Sequence, residues 1–462
     1  MVKSVRVPIK ELEKIERRNI FNEVVSGYSE EEALKEASRC LQCKKPGCVA
    51  HCPINVQIPD FINLITKNKF IEAANKIKES HLFPSICGRV CPQELQCEAH
   101  CILSKIGSPI AIGSLERFSG DYLCKIKTSY NSIKLPSKNG KKVAIVGSGP
   151  SGLTVASELI HHGYDVTIFE ALHKVGGVLT YGIPDFRLPK KILQSELEQL
   201  VQLGVKMVPN FVIGKTATVD ELLSEYGFNA VFIGSGAGLP IFMNIPGEYS
   251  TGVYSANEFL TRVYLMRAHC STSDTEVMRG DTVVIGGGNI AMDAARTAVR
   301  LGAKNVTLVY RRSEKEMPAR LEEVRHAKEE GINFQMLTNP VAIMSDNNNI
   351  VKGIVCTKME LADAIDSSGR QNVQIISGSE FEIPCEVIIM SIGNKSNPLI
   401  QSTTKGLDVS SNKGTILSPN QDGRTSKKFV YVAGDVLTGA STVISAIATG
   451  KKAAASIMED LI

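Results

Sequence analysis

The sequence predicts an α/β protein: a helical, cysteine-rich N-terminal domain, then two Rossmann-like units, the second inserted into the first. Three observations carry this. Eight of the twelve cysteines crowd between Cys40 and Cys101. A strand, a glycine-rich turn, a helix and a strand follow one another from Lys142 to Glu170, and the same order recurs from Asp281 to Arg312. At roughly 100–200 residues per domain, 462 residues leave room for two to four domains. A 43% hydrophobic and 22% charged composition fits a globular chain and excludes a largely disordered one. A net charge of +4 is too small at this length to make nucleic acid or a membrane the main partner. No apolar run approaches the roughly 18 residues needed to cross a bilayer. Met1 to Asn22 is charged and has no apolar core, so no secretory signal is expected and the cytoplasm is the expected compartment.

The cysteine block reads Cys40, Cys43, Cys48 and Cys52-Pro53, then Cys87, Cys91-Pro92, Cys97 and Cys101. A reducing compartment disfavours a disulfide framework and favours ligation. Structural zinc sites usually pair two short hooks across a longer span. Compressed runs of four with a following Pro suit iron–sulfur clusters, where the last cysteine of a run can serve the other cluster. Two structural zincs are the alternative. Around the block the pattern is helical. Ser29 and Glu32 form a capping box ahead of Ala33, Leu34, Ala37 and Leu41, predicting a helix that runs into Cys40. Ile58, Phe61, Ile62 and Ile65 predict a second helix, and residues 69–79 a third. Residues 129–141 read as a polar linker.

Beyond it, Val143–Val146 is a short apolar strand leading into Gly147, Ser148, Gly149, Pro150, Ser151 and Gly152. In such a turn the first glycine permits the bend. The second lets a pyrophosphate approach the backbone, and the third lets helix and strand pack closely. Glu170 ends the next strand, where a carboxylate can accept from a ribose diol. The second unit has Gly286, Gly287, Gly288, Asn289 and, in the third small position, Ala291. Its second strand is followed by Arg311 and Arg312 instead of an acid, and guanidinium groups there favour a 2′-phosphate, hence NADP(H). Solvated surface charge is the bland alternative. Near the C-terminus a strand ends in Gly434-Asp435, and an apolar helix follows from about Ser441. Two dinucleotide units imply two dinucleotides, one FAD and one nicotinamide. The expected division is 1–138 for the helical domain, 139–265 with 395–462 for the FAD unit, and 266–394 for the inserted NADPH unit. The crossings are expected near Val231–Gly238 and Val387–Gly393.

Taken together, the block, the linker and the double fold resemble the small (beta) subunit of NADPH-dependent glutamate synthase. The same unit occurs in electron-bifurcating and sulfide or polysulfide oxidoreductases and in the N-terminal part of dihydropyrimidine dehydrogenase. The segments Ala111–Phe118, Tyr181–Lys190 and Glu316–Ala319 carry the resemblance as well. It implies FAD, NADPH and two [4Fe–4S] clusters with crossed ligation. Cys40, Cys43, Cys48 and Cys101 would hold one cluster. Cys52, Cys91, Cys97 and Glu116 would hold the other, leaving Cys87 without a role. It further places Gly177, Leu179, Arg187, Asp435 and Thr442 near FAD, and Asn289, Arg296, Arg311 and Arg312 near NADPH. Val178 and Asn394 depart from the family's usual Leu and Gln. The implied activity is NADPH oxidation, with electrons leaving one at a time for a larger protein or a small acceptor. A stand-alone NADPH oxidoreductase, or a ferredoxin:NADP or sulfide reductase subunit, is the alternative. No acid–base catalytic residue is needed, because the cofactors carry the chemistry. A disulfide reductase would need a cysteine pair beside the flavin, and Glu170 to Pro189 contains no cysteine. A docking scaffold with redox chemistry secondary is the remaining rival.

Overall fold

Ser29 starts its helix as its pattern predicts. Its hydroxyl accepts the Glu32 N–H, and the Glu32 carboxylate accepts the Ser29 N–H, at the head of Glu30–Ala37. The helix stops at Ala37, so Cys40 opens a loop instead of ending a helix. Ile58–Thr66 buries Ile58, Phe61, Ile62 and Ile65, and Phe70–Lys78 buries Phe70, Ala73, Ala74 and Ile77. Pro84–Val90 and Ile112–Ile126 complete the helical domain. This computed structural model describes residues 5–126, 135–366 and 369–462. Residues 129–134 of the expected linker therefore lie outside the described residues.

Five parallel strands form the first sheet, in the order Val430–Val432, Ala230–Ile233, Lys142–Val146, Asp165–Phe169, Lys206–Val208. The second sheet is also parallel: Val253–Ser255, Val387–Met390, Thr282–Ile285, Val306–Tyr310, Asn333–Met336. Their near-continuous burial is what a sheet covered on both faces requires. The long strand Val351–Ile365 pairs antiparallel with Thr338–Ser345, Gln371–Ile375 and Phe381–Pro384. These are the extra strands expected between 331 and 386.

The expected boundary at 265/266 is corrected by this topology. Val253–Ser255 pairs with Val387–Met390 in the second sheet, so that strand and the helix Ala256–Leu260 belong to the inserted unit. The chain crosses between units where Leu239–Pro240 pairs antiparallel with Asn394–Lys395, just beyond the two expected crossings. The N-terminal segment also reaches both units, the flavin unit at Phe186 and the inserted unit at Arg300 and Glu329. Val24 N–H donates to Phe186 O at 3.0 Å, Arg300 donates to Ile20 O at 2.9 Å, and Arg17 pairs with Glu329 at 2.8 Å.

Candidate functional site

The first glycine turn is built as its sequence demands. Gly147 adopts φ +96°. A Cβ on Gly152 would stand 2.1 Å from Gly147 O, so only glycine lets the helix Pro150–Ile160 sit this close to its strand. A Cβ on Gly149, by contrast, would meet nothing within 4 Å, which leaves room for a phosphate before the helix N-terminus. Glu170 is buried and accepts N–H bonds from Ser148 at 3.0 Å and Leu172 at 2.9 Å, with the Ser148 hydroxyl as a third donor. Gly177 packs on the turn, since a Cβ there would stand 2.7 Å from Gly149 Cα. Leu179 follows on the short helix Val178–Tyr181, whose half-buried Tyr181 feels the charges of both Asp435 and Glu170. Gly434 lies against Ser151, and Thr442 caps the long helix Val443–Asp460 by accepting the Ser445 N–H.

Burial pushes the Asp435 carboxyl up to about 6, and the Ser441 N–H at 3.2 Å offsets only part of this. A desolvated carboxylate with so little compensation fits a polyol donor such as a ribityl chain. Hydroxyl donation favours the ionised form, so FAD should bind at full affinity above pH 6 and more weakly below it. About tenfold weaker binding is expected at pH 5 than at pH 7, from one proton taken up per site. Fluorescence titration of apoprotein at both values measures this, and Asp435→Asn should abolish the difference.

The second turn is similar but more covered. A Cβ on Gly286 would meet Ser391 O at 2.2 Å, and one on Gly287 the Tyr310 ring at 2.7 Å. Gly288 is the open one, with only Pro318 Cγ at 3.9 Å, and Ala291 is fully buried. The segment Glu316–Ala319 folds over this turn: Ala319 N–H donates to Gly287 O at 3.2 Å, and Asn289 Oδ1 accepts the Arg320 N–H at 2.9 Å.

Three of the arginines expected near the nucleotides are engaged in ion pairs within the protein. Arg296 is fully buried in ion pairs with Glu323 and with Glu330, the latter at 2.8 Å, so its charge is spent inside the inserted unit. Arg187 is likewise engaged, by Asp293 at 2.7 Å and Glu323 at 2.9 Å, and ties the Tyr181–Lys190 stretch to that unit. Arg312 is buried against Asp366 at 2.7 Å and Gln371 O at 2.8 Å. Arg311 alone of the two is exposed. Arg311→Ser is therefore expected to raise the KM for NADPH about 10- to 100-fold, the worth of a charge-assisted hydrogen bond of ~1.5–3 kcal/mol, and to leave NADH turnover unchanged. Steady-state kinetics with both nucleotides tests it; an equal response would mean that Arg311 does not face the 2′-phosphate.

The thiols fall into two groups. Cys40 and Cys48 both feel Cys43 and Cys101, and burial with this mutual repulsion pushes the Cys48 thiol up to about 12. Cys52 feels Glu116 and Cys91; Cys97 feels Glu116, Cys91 and Cys52, and burial holds its thiol well above the usual range. A set of half-buried or buried thiols that repel one another as thiolates suits a cationic inorganic core, which inverts that penalty. All eight are free cysteines. Elsewhere, Cys356 and Cys385 share a core, where burial pushes each thiol up to about 12, unfit for nucleophilic attack. A cavity of about 240 Å³ opens at neither glycine turn but at the junction of the helical domain with the inserted unit, among Arg89, Arg117, Arg187, Arg320, Glu23 and Glu94.

Residues 16–128 match the family model described as dihydropyrimidine dehydrogenase domain II, 4Fe-4S cluster, and residues 141–450 match pyridine nucleotide-disulphide oxidoreductase. The glutamate synthase [NADPH] small chain of Escherichia coli (strain K12) is 34% identical over 460 residues, covering 98% of this chain and 95% of that one. The chain belongs to the glutamate synthase small-chain family. Members of wider function are also similar: the NADP(+)-dependent formate dehydrogenase subunit beta of Moorella thermoacetica is 36% identical over 89% of this chain and 59% of its own length. In fold, the chain resembles Mycobacterium tuberculosis FprA in complex with NADPH, with a TM-score of 0.57 and 23% identity over 70% of this chain and 84% of that one. Small-chain family membership and the two-unit α/β fold are thus as expected. Among the described residues no helix is long and apolar enough to cross a membrane.

Proposed function

We infer that the chain is an NADPH-dependent oxidoreductase carrying FAD and 4Fe–4S centres. Two clusters, held by Cys40, Cys43, Cys48 and Cys101 and by Cys52, Cys91, Cys97 and Glu116, complete the reading. When bound, the nicotinamide, flavin and clusters supply hydride and single-electron transfer themselves. The chain's part is to hold and order them. Glu170, Asp435 and the first glycine turn fix the flavin nucleotide, and Gly288 with Arg311 fixes NADPH.

One observation carries the ordering. Of the proposed ligands only Cys91 lies in the hydrophobic core that holds Leu179 and Ile183, beside the flavin turn; its fellow ligands Cys52 and Cys97, like Cys40, Cys48 and Cys101 of the other group, lie on the helical domain's own core. The group containing Cys91 is therefore the inner station and the Cys40 group the outer one. An outer station on the protein's edge implies an external acceptor. The relatives named above are subunits of larger enzymes, which supports a protein partner of the glutamate synthase large-chain type. Reduced thiols in such number fit the cytoplasm. Anaerobic addition of NADPH should bleach the flavin band and then produce reduced-cluster EPR signals. An unbleached flavin band would leave only the docking-scaffold reading.

A further inference from the structure

His81, Cys87 and Glu116 are all buried, and a potential ligand atom from each lies within 4.8 Å of the others. Close helix packing allows it. A Cβ on Gly88 would stand 2.5 Å from Arg117 N, so Pro84–Val90 and Ile112–Ile126 meet almost backbone to backbone. The His81 ring has a defined role there. Its Nδ1 accepts the Phe83 N–H at 3.2 Å, which places the ring hydrogen on Nε2. With that hydrogen Nε2 is a donor and not a metal ligand. It lies 3.0 Å from Glu116 Oε1, yet no acceptor is aligned on its axis. A buried donor without an aligned acceptor costs about 1–3 kcal/mol, and a small turn of the carboxylate removes that cost. Glu116 also lies within electrostatic reach of Cys52 and Cys97, and Cys87 sits one helical turn before Cys91, whose N–H donates to Cys87 O at 3.0 Å.

On the two-cluster reading above, we propose that His81 is a positioning residue that holds Glu116, in preference to the adjacent Cys87, as the fourth ligand of the inner cluster. Ligating carboxylates are commonly hydrogen-bonded from behind, and such partners decide which way the ligand faces. One carboxylate oxygen held by Nε2–H leaves the other for iron. Without that anchor, Cys87 is the nearest replacement.

Five anaerobic preparations decide it: wild type, His81→Leu, His81→Gln, Cys87→Ser and the double variant His81→Leu with Cys87→Ser. Each is read by iron and sulfide content and by the EPR spectrum of the dithionite-reduced protein, with FAD content reporting folding. His81→Gln keeps an N–H near the Nε2 position and should match wild type, as should Cys87→Ser. His81→Leu should keep its iron but change the spectrum of one cluster. The double variant should lose roughly half its iron, one of two four-iron clusters. Should His81→Leu lose FAD, His81→Asn, whose amide is too short to reach Glu116, carries the same expectations. The proposal is overturned if Cys87→Ser alone loses that iron, or if His81→Leu and the double variant both match wild type. A single cluster in unsubstituted protein overturns the two-cluster reading itself, and is distinguishable because it precedes any substitution.

Discussion

Cys48→Ser protein should contain roughly half the iron and sulfide of the wild type, one of two four-iron clusters, and a full complement of FAD. Cys48 sits on Gly47–Ala50 and packs only on the core of the helical domain. No residue of the flavin unit belongs to that core, so losing its cluster leaves the first glycine turn intact. Cys91→Ser should behave differently. Cys91 shares a core with Leu179, Ile183, Phe232 and Tyr431, so losing the cluster it would hold, unlike a Ser at the non-ligating Cys87, leaves that flavin-side packing unsupported and should lower FAD content too. Iron, sulfide and flavin assays on anaerobic preparations give the comparison. Full iron in Cys48→Ser would remove Cys48 from the ligands, and equal FAD loss in both variants would remove the inner and outer ordering.

What could be read from the sequence was local chemistry. The two glycine turns and the Ser29 capping box each lie within a few consecutive residues, and each is built as the local pattern requires. Two things were not legible. Val253–Ser255 is a three-residue strand, too short to show a period, so the inserted unit begins earlier than expected. Charge pairing across the fold was also hidden. Arg312 finds Asp366 across a long stretch of chain, Arg187 finds Asp293, and neither acid is a neighbour in sequence. His81 is hidden for the same reason: it lies in the loop before Pro84–Val90, and its role shows in its distance to Glu116 on the helix Ile112–Ile126.

Arg296→Leu is the sharpest test of that hidden pairing, with an expected loss of about 3–5 kcal/mol in stability. Arg296 has no exposed surface, and its guanidinium also lies 4.5 Å from the centre of the Phe186 ring, with Arg300 at 4.0 Å on the same ring. Burial alone would raise the Glu323 carboxyl, but Arg187 and Arg296 outweigh it and hold it down. Removing Arg296 leaves Glu323 with Arg187, and Glu330 with Arg300 at 2.7 Å, each short of a partner it was buried with. An uncompensated buried carboxylate is the costly part, since Leu itself fills the space. A double change of Arg296→Leu with Glu330→Gln should therefore recover part of the loss. Thermal unfolding of the holoprotein measures both variants, and steady-state kinetics supplies the control. A lower Tm with an unchanged KM for NADPH is expected, because the guanidinium is turned into the core. An unchanged Tm with a raised KM would instead return Arg296 to the nucleotide, where the family resemblance had placed it.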